Sequence, residues 1–486
     1  MCKELKGLQL VCSSSVVDRE KTSAYLRVAE PIKKEVMMVF DKPWEGNHCC
    51  YGSMVFTGEI YRLYYLAWDS SKPLQELKVC VLQSKDGINW ERPIIGIREY
   101  NGSKDNNIII DITDRDYYVP AYDYNTGTLF DVSTGKQTKN FIDTFFCFKD
   151  TNPNCKKGEE YKAFIYNNVY RLETMYSEDG INFRRGYDVN VPGKFDTLNT
   201  CFYDEKLGKY VAYIRDFHNI PEDGDLNKGI RDVRRMESDD FIHWSTPELI
   251  KFNNNAEDYP LYTNQIMRYP RNTDFYVGFP TRYYERTEWT DNFEKLCGRE
   301  QRLERMKAHP RLGLTITDCV FMVSTDGINW DRFEQALFRP DIEDGENWVY
   351  GDCYPQYMLV DSGNYYSMFM KEKHNIKGAF STWYRWEIRK DGFAYYEAGC
   401  EKKKVVLKKG VLTSNKIFVN FATAVRGNIF IKVKDNDGNE TITCEMFGNS
   451  INREASFESG ALDKFVGKEV EIEIEMYDAK LYSVIF

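Results

Sequence analysis

Short runs in which apolar and polar residues alternate recur along this chain and predict β-strands. Tyr61 to Ala67 and Tyr210 to Arg215 are examples, each preceded by a turn that contains glycine. A period of two residues places alternate side chains on one face of a strand, as in an antiparallel sheet. Helical periodicity is nearly absent, although the charged stretch from Asp291 to Lys307 is compatible with a helix. The pattern therefore predicts an all-β protein with one helical insertion.

A turn motif of the form S-x-D-G-x-x-W/F separates the strands. An Asp-Gly pair favours a tight hairpin turn because glycine adopts positive φ and the aspartate side chain can accept hydrogen bonds from the turn backbone. The aromatic residue three positions later can pack beneath the turn. A fifth, degenerate copy covers residues 389–393, and the four fuller copies occupy residues 84–90, 177–183, 238–244 and 324–330.

Each copy of the motif closes a unit of two strands, and five such units predict a five-bladed β-propeller. A stack of unrelated hairpins is the alternative. After Gly392 a polar connector leads to further strands with a hairpin turn at residues 436–439, which predicts a C-terminal β-sandwich. The predicted organisation is an N-terminal segment at 1–36 that joins the sandwich and closes the propeller, a catalytic propeller at 37–396, and the sandwich at 397–486.

Acidic residues stand at or near the starts of the predicted inner strands. Because these strands converge on one end of the central channel, we expect their carboxylates to meet there. Glycosidic bond cleavage needs one protonated and one ionised carboxyl group, and a ring of carboxylates can separate their pKa values in this way. We predict Glu45 and Asp196 as acid, base or nucleophile, with Asp143 and Asp352 shaping the pKa values. A turn cap or an ion pair is the alternative for each residue singly.

Aromatic residues make up 15% of the chain, with 34 Tyr, 30 Phe and 9 Trp. Tyrosine and tryptophan suit surfaces that are half apolar and half wet, such as sugar-binding clefts, although core packing is the alternative. His48 follows Glu45 at the mouth of the first blade. The predicted substrate-binding residues are Trp44, His48, Tyr262, Asn264, Arg282, Arg286, Trp348 and Tyr354.

Arginines are concentrated around the helical insertion, and two interpretations stay open for them. At helical spacing Glu300 and Glu304 can pair with neighbouring arginines on a solvated surface. Alternatively, one or two of the arginines, such as Arg286 or Arg311, form a bidentate clamp on an anionic group of the substrate.

Charge and hydropathy exclude several classes of protein. The 65 basic and 75 acidic residues give a net charge of −10, which makes a nucleic acid an unexpected partner. No run of 18 apolar residues is present, so no membrane span is expected. An oligosaccharide or polysaccharide is the expected partner, and the oligomeric state stays open.

The thirteen cysteines contain no C-x-x-C pair, and no two of the five histidines have the spacing of a metal site. We therefore predict no metal site and no required cofactor, with a structural calcium ion in the channel as an open option. The first residues lack the apolar core of a secretory signal, so cytoplasmic thiols are expected, and export of a processed form stays open.

The turn motif resembles that of the five-bladed propeller glycosidases, a group that includes invertase-like, arabinanase-like and mannoside phosphorylase enzymes. The strings KPWEG, TRYYER, NWVYGD and DAKLYSVIF are similar to an uncharacterised bacterial family of invertase-type glycosyl hydrolases, from about Lys42 to the end of the chain. The resemblance implies an Asp nucleophile or base on the first inner strand, a second Asp that stabilises the transition state, and a Glu acid.

The sequence departs from that pattern at the first inner strand. Residues 47–56 contain no Asp, and the N-D-P-N-G and E-C motifs of invertases are missing. Asp41 or Glu45 could replace the first group, and Asp196 matches a strand-start Asp. The sequence thus predicts a glycoside hydrolase that acts on a sugar other than that of the invertases or has a different arrangement of carboxylates. The alternatives are a glycoside phosphorylase that uses inorganic phosphate and a non-catalytic carbohydrate-binding propeller.

Overall fold

The computed structural model consists almost entirely of β-strands, and five of its sheets are the blades of a propeller. It describes residues 3–72, 77–111, 121–123, 128–130, 142–167, 171–253, 256–373, 376 and 378–486. The predicted all-β fold with five blades is confirmed.

The first three blades are regular four-stranded antiparallel sheets. Blade 1 contains Cys50–Phe56, Tyr61–Ala67, Lys78–Ser84 and Ile108–Asp111. Blade 2 contains Ile142–Lys149, Tyr161–Asn167, Arg171–Ser177 and Arg184–Asp188. Blade 3 contains Thr200–Asp204, Lys209–His218, Ile230–Ser238 and Glu248–Leu249. A separate two-stranded pair is formed by Ala121–Asp123 and Thr128–Phe130.

The last two blades depart from this plan. Blade 4 contains Met267–Arg268, Tyr276–Gly278, Thr281–Glu285, Thr315–Ser324 and Asn329–Phe338, and Lys251–Phe252 joins its last strand in parallel. Blade 5 contains Tyr354–Pro355, Val360–Ser362, Tyr365–Glu372, Thr382–Arg389 and Ile32–Val39.

The outer strand of blade 5 comes from the N-terminal part of the chain. Ile32–Val39 pairs antiparallel with Thr382–Arg389, which closes the ring of blades. Upstream of it, Tyr25–Val28 pairs with Ala394–Ala398 in the C-terminal sheet. The closing strand runs across residues 36 and 37, where the sequence suggests a domain boundary.

The C-terminal region forms one hydrogen-bonded sheet of ten strands. Its longest strands, Phe418–Asp435 and Glu469–Ile485, pair with each other and are interrupted by an irregularity between Thr423 and Asn428. The other strands are Glu4–Leu5, Leu8–Leu10, Tyr25–Val28, Ala394–Ala398, Lys403–Val406, Gly410–Leu412, Glu440–Ile442 and Asn449–Glu454, and a short 3-10 helix covers Asp463–Phe465. A two-layer sandwich at 397–486, like the other domain boundaries, stays a prediction.

The charged insertion is helical, as its pattern predicts. It lies between two strands of blade 4 and forms α1 (Asp291–Lys295), α2 (Arg299–Ala308) and α3 (Arg311–Leu314). Phe293, Leu296 and Leu314 form a small apolar core of its own, against which Trp348 packs. None of the described helices is long and apolar enough to cross a membrane.

The repeated turns share one hydrogen-bond pattern. In the first copy the N–H groups of Ile88 and Asn89 each donate to Asp86 Oδ1 at 2.8 Å, and the Gly87 N–H donates to Ser84 Oγ at 2.9 Å. Gly87 has φ of 72° and packs closely against Val360 of blade 5, so a larger residue there would collide with the neighbouring blade.

Each turn also contacts the preceding blade. Tyr64 of blade 1 donates its hydroxyl to Gly180 O of the blade 2 turn at 2.7 Å, and Tyr213 of blade 3 donates to Gly327 O at 2.9 Å. Phe164 of blade 2 stacks on Phe241 in the blade 3 turn with ring centroids 5.3 Å apart. The turn motif therefore fastens blade to blade as well as closing hairpins.

Replacing Asp240 with Ala should lower the free energy of unfolding by roughly 0.5–2 kcal/mol, as removal of a capping side chain does. The N–H groups of Ile242 and His243 donate to Asp240 Oδ1 at 2.8 Å. Although burial opposes them, these bonds hold the pKa of Asp240 below its usual value. The stabilisation is thus present above the ordinary pKa of an aspartate, and the difference from wild type should shrink as the pH falls through the acid range.

Asp239→Ala is the matched control, because that neighbouring side chain is 83% exposed. Urea denaturation should place it within roughly 0.5 kcal/mol of wild type. Equal losses in the two variants would contradict a specific role for the Asp240 bonds.

Candidate functional site

Side chains from all five blades meet at one place, which we call the central cluster. The hydroxyl groups of Tyr51 in blade 1 and Tyr262 ahead of the first strand of blade 4 are 3.3 Å apart. The cluster is defined by Tyr51, Asp143, Arg215, Arg231, Tyr262, Tyr283, Tyr350 and Tyr354.

Tyrosine rings line much of this cluster. The Tyr262 ring centroid lies 5.5 Å from that of Tyr354 and 6.0 Å from those of Tyr283 and Tyr350. Tyr262 and Tyr350 are only partly buried. Such rings offer both an apolar face and a hydroxyl group, the combination that a sugar ring requires.

The backbone around the cluster contains residues in the left-handed region. Tyr51, Trp348 and Cys353 have φ of 60°, 61° and 56°. Non-glycine residues adopt this conformation at a cost, and such residues concentrate at functional sites because the surrounding structure must hold them there. The three lie on the segments that carry Tyr51, Tyr350 and Tyr354, so the strain bears directly on the position of the tyrosines.

Asp143, at the start of blade 2, is the carboxyl group of the central cluster. Burial raises the pKa of Asp143 to about 6, against the opposing effect of the Arg215 guanidinium. A carboxyl group with this pKa holds its proton in slightly acidic solution, where an ordinary aspartate is ionised. Asp143 is therefore suited to donate a proton.

Arg215 connects Asp143 with a second carboxylate. Its guanidinium forms an ion pair with Asp196, whose side chain is 50% exposed, and its Nε donates to Lys194 O at 2.8 Å. Burial and the nearby Arg231 lower the pKa of Arg215 to about 10. One guanidinium thus acts on two carboxyl groups in different environments: Asp143 is partly buried, and the Asp196 side chain is half open to water.

Asp352 and Lys371 form a fully buried layer next to the cluster. Asp352 Oδ2 accepts a hydrogen bond from the Val349 N–H at 3.1 Å. Burial lowers the pKa of Lys371 to about 8, and its Nζ lies 4.8 Å from the centroid of the Tyr354 ring. The pair supports the segment that carries Tyr350 and Tyr354.

The structure places Glu45 in a buried ion pair. Arg92 donates to both carboxylate oxygens, at 2.9 and 2.8 Å, and Tyr65 Oη and the Lys42 N–H donate as well. A carboxylate held by four donors and withdrawn from solvent serves a structural purpose, because no acceptor position is left for a substrate. Glu45 therefore lies outside the group of residues that can act on a sugar in the central cluster.

Three of the predicted substrate-binding residues use their polar groups in hydrogen bonds or ion pairs with other residues of the protein. Trp44 Nε1 donates to Asn107 Oδ1 at 2.9 Å. Asn264 accepts from Thr200 and donates to Tyr213 O, so it ties blade 4 to blade 3. Arg282 forms a bidentate pair with Asp318 and also donates to Glu334 O at 2.8 Å.

The remaining predicted binding residues divide between the cluster and its surroundings. Tyr262 and Tyr354 lie in the cluster. The His48 ring packs on Trp68 with centroids 3.9 Å apart, and Arg286 is exposed beside Tyr284.

Trp348 donates to Asp341 O at 2.7 Å, and it lines a groove of about 710 Å³ on the outside of blades 4 and 5, together with Ile342 and Trp386. None of the residues that line this groove belongs to the central cluster.

Four charged or aromatic residues near the cluster were not assigned from the sequence: Arg215, Arg231, Tyr283 and Lys371. A signal for two of them does exist. Arg215 and Lys371 stand near the ends of long strands whose other residues are mostly buried and apolar. A charge embedded in such a run is costly unless it serves a partner or a ligand, so its presence there indicates a functional or structural partner.

Arg215→Gln should raise the pKa of Asp143 above about 6, because it removes the positive charge that opposes the effect of burial. Carbon-13 NMR titration of the aspartate carboxyl groups measures this value without any substrate. Arg215→Lys keeps the charge and should leave the pKa closer to that of wild type. A lower pKa in Arg215→Gln would contradict the electrostatic link.

Among the described residues, no group of three or more His, Cys, Asp or Glu side chains is arranged to hold a metal ion. The structural calcium ion allowed by the sequence stays a prediction.

No protein-family model and no curated protein matches the sequence. Similar solved structures include an N-acetylgalactosamine deacetylase from F. plautii in complex with blood group B trisaccharide, at 11% identity over 76% of this chain and 96% of that chain, with a TM-score of 0.43. A fructofuranosidase from Schwanniomyces occidentalis matches at 11% identity over 96% and 98%, with a TM-score of 0.39. A family 43 arabinoxylan arabinofuranohydrolase from Bacillus subtilis matches at 10% over 94% and 99%, with a TM-score of 0.40. Likenesses this distant identify neither family nor activity.

Proposed function

We propose that the protein is a glycosidase in which Asp143 is the general acid and Asp196 the base or nucleophile. The observation that carries the proposal is the placement of these two carboxyl groups around Arg215, one with a raised pKa and one in an ion pair open to solvent. Glycoside hydrolysis requires this division between a protonated and an ionised carboxyl group.

The tyrosines of the central cluster give the site its substrate class. A sugar ring can lie against the faces of Tyr262 or Tyr354, and its hydroxyl groups can bond to the phenol groups. Asp143 then donates its proton to the glycosidic oxygen as the bond to the anomeric carbon breaks. Asp196 activates a water molecule or attacks the anomeric carbon, and an oligosaccharide or polysaccharide is the substrate.

A glycoside phosphorylase is the second candidate, because Arg215 and Arg231 belong to the cluster that contains the proposed acid, and Arg311 contacts its Tyr283 ring. Inorganic phosphate would then replace water as the nucleophile. The cytoplasmic location predicted from the sequence suits such an enzyme and stays a prediction.

Turnover on a panel of oligosaccharides and aryl glycosides, with and without phosphate, tests the proposal. Release of free sugar without phosphate supports the glycosidase, and formation of sugar phosphate supports the phosphorylase. Binding of panel members without any turnover would overturn both and leave a carbohydrate-binding propeller.

Asp143→Asn and Asp196→Asn should each lower kcat/KM by about 100-fold or more, the usual range for loss of an acid or base. Because Asp143 must be protonated, activity should fall as the pH rises above about 6. Asp239→Asn, at an exposed turn position, should retain wild-type rates. Wild-type activity in Asp143→Asn would remove that residue from the mechanism.

A further inference from the structure

Three arginines lie together at one side of the central cluster. Arg215 and Arg231 lie on adjacent strands of blade 3, and Arg311 begins α3 of the insertion. Their side chains are 4%, 11% and 6% exposed. We call these three residues the arginine trio.

Shared aromatic rings show that the trio is close together. The Arg231 guanidinium carbon lies 4.4 Å from the centroid of Tyr283, and that of Arg311 lies 5.5 Å from the same centroid. Arg215 and Arg231 likewise share Tyr262, at 5.9 and 5.7 Å. After burial, Arg231 is the largest influence that lowers the pKa of both Arg215 and Arg311, as expected of adjacent like charges.

Two carboxylates contact the trio within the described part of the chain. Asp196 pairs with Arg215, and Glu285 lies 3.4 Å from Arg311 and 4.0 Å from Arg231. Asp143, the other acidic group nearby, carries little negative charge below its pKa of about 6. Three guanidinium groups therefore contact two carboxylates, so one positive charge is in excess while Asp143 is protonated, in a protein whose net charge is −10.

Several donors of the trio have no acceptor within the described protein. These are Nε and Nη1 of Arg231 and Nε of Arg311, all of them buried. Buried donors in native proteins are almost always paired, as in Arg282, which forms a bidentate pair with Asp318 and also donates to Glu334 O. Arg235 and Arg268 also have buried donors without an acceptor, but each of these two guanidinium groups is in a close ion pair, with Glu237 and with Asp204.

We propose that the arginine trio binds an oxyanion, either the carboxylate of an acidic sugar or inorganic phosphate, beside the Asp143–Asp196 pair. Planar guanidinium forks match the oxygens of both groups. One part of this proposal rests on the proposed function: the anion lies next to a glycosidic bond only if the protein is a glycosidase. Of the two interpretations open for the arginines of the insertion, the proposal takes the anion clamp, with Arg311 as a member, while Arg286 is exposed and lies outside the trio.

Isothermal titration calorimetry on the full chain tests the proposal with three probes: inorganic phosphate, glucuronate and neutral glucose. At least one anion should bind at least 10-fold more tightly than glucose. Selective binding of glucuronate indicates an acidic sugar substrate, and selective binding of phosphate indicates a phosphate co-substrate. If neither anion binds better than glucose, the proposal is wrong.

The variants Arg231→Gln and Arg311→Gln should each weaken binding of the anion by at least 10-fold. Arg231→Lys keeps the charge but not the planar fork, and should bind with intermediate affinity. Arg339→Gln removes an exposed arginine, 66% exposed, and should bind as wild type does. Melting curves show whether a variant is folded, and wild-type affinity in both folded Gln variants would overturn the proposal.

Asp143→Asn separates this proposal from the proposed function. It should lose turnover and keep anion binding. If the wild-type protein binds the anion but cleaves no member of the glycoside panel, the proposed glycosidase function is wrong and the proposed anion site is supported. If the wild-type protein cleaves neutral glycosides but binds neither anion, the glycosidase function is supported and the proposed anion site is wrong.

Discussion

The contact between each turn and the preceding blade is the interaction on which the rest of the structure depends. Tyr64 and Tyr213 donate to carbonyl groups of the neighbouring turns, and Phe164 stacks on Phe241 where the glycine is replaced. Tyr269 of blade 4 makes the same kind of contact with Asp391 in the degenerate turn of blade 5. Because these contacts set the angle between adjacent blades, they also set where the inner strand ends meet, and so the geometry of the central cluster.

The cluster combines two kinds of contribution. The blades supply tyrosines and the pair of carboxyl groups, on strands that the ring holds rigidly. The insertion supplies cations: Arg311 reaches Tyr283, and Arg305 lies over the Tyr350 ring at 4.6 Å. Positive charges of the insertion are therefore in contact with the tyrosine rings that line the site. The surface-helix interpretation holds only for residues such as Arg299, which pairs with Glu294.

Repeated local patterns were predictable, and long-range partners were not. The turn motif contains its own hydrogen-bond acceptors, so the turn conformation of residues 84–90 can be predicted from those residues alone, without the rest of the chain. The proximity of Asp143 and Asp196 could be predicted because strand starts converge in a propeller. Glu45 could not be judged, since its partner Arg92 lies 47 positions later. Arg231 is one of three arginines in a single strand, and local sequence does not indicate which of them faces the cluster, because Arg234 and Arg235 pair with Asp232 and Glu237.

The closure of the ring by Ile32–Val39 has a consequence for folding. Glu35 of that strand pairs with Arg385, 350 positions away. The strand Ile32–Val39 is synthesised early and therefore stays unpaired until nearly the whole propeller, including its partner strand, has emerged from the ribosome. Such distant pairing slows folding. This unpaired strand contains three charged residues, Lys33, Lys34 and Glu35. Their charges disfavour pairing of the strand with another chain before the ring closes.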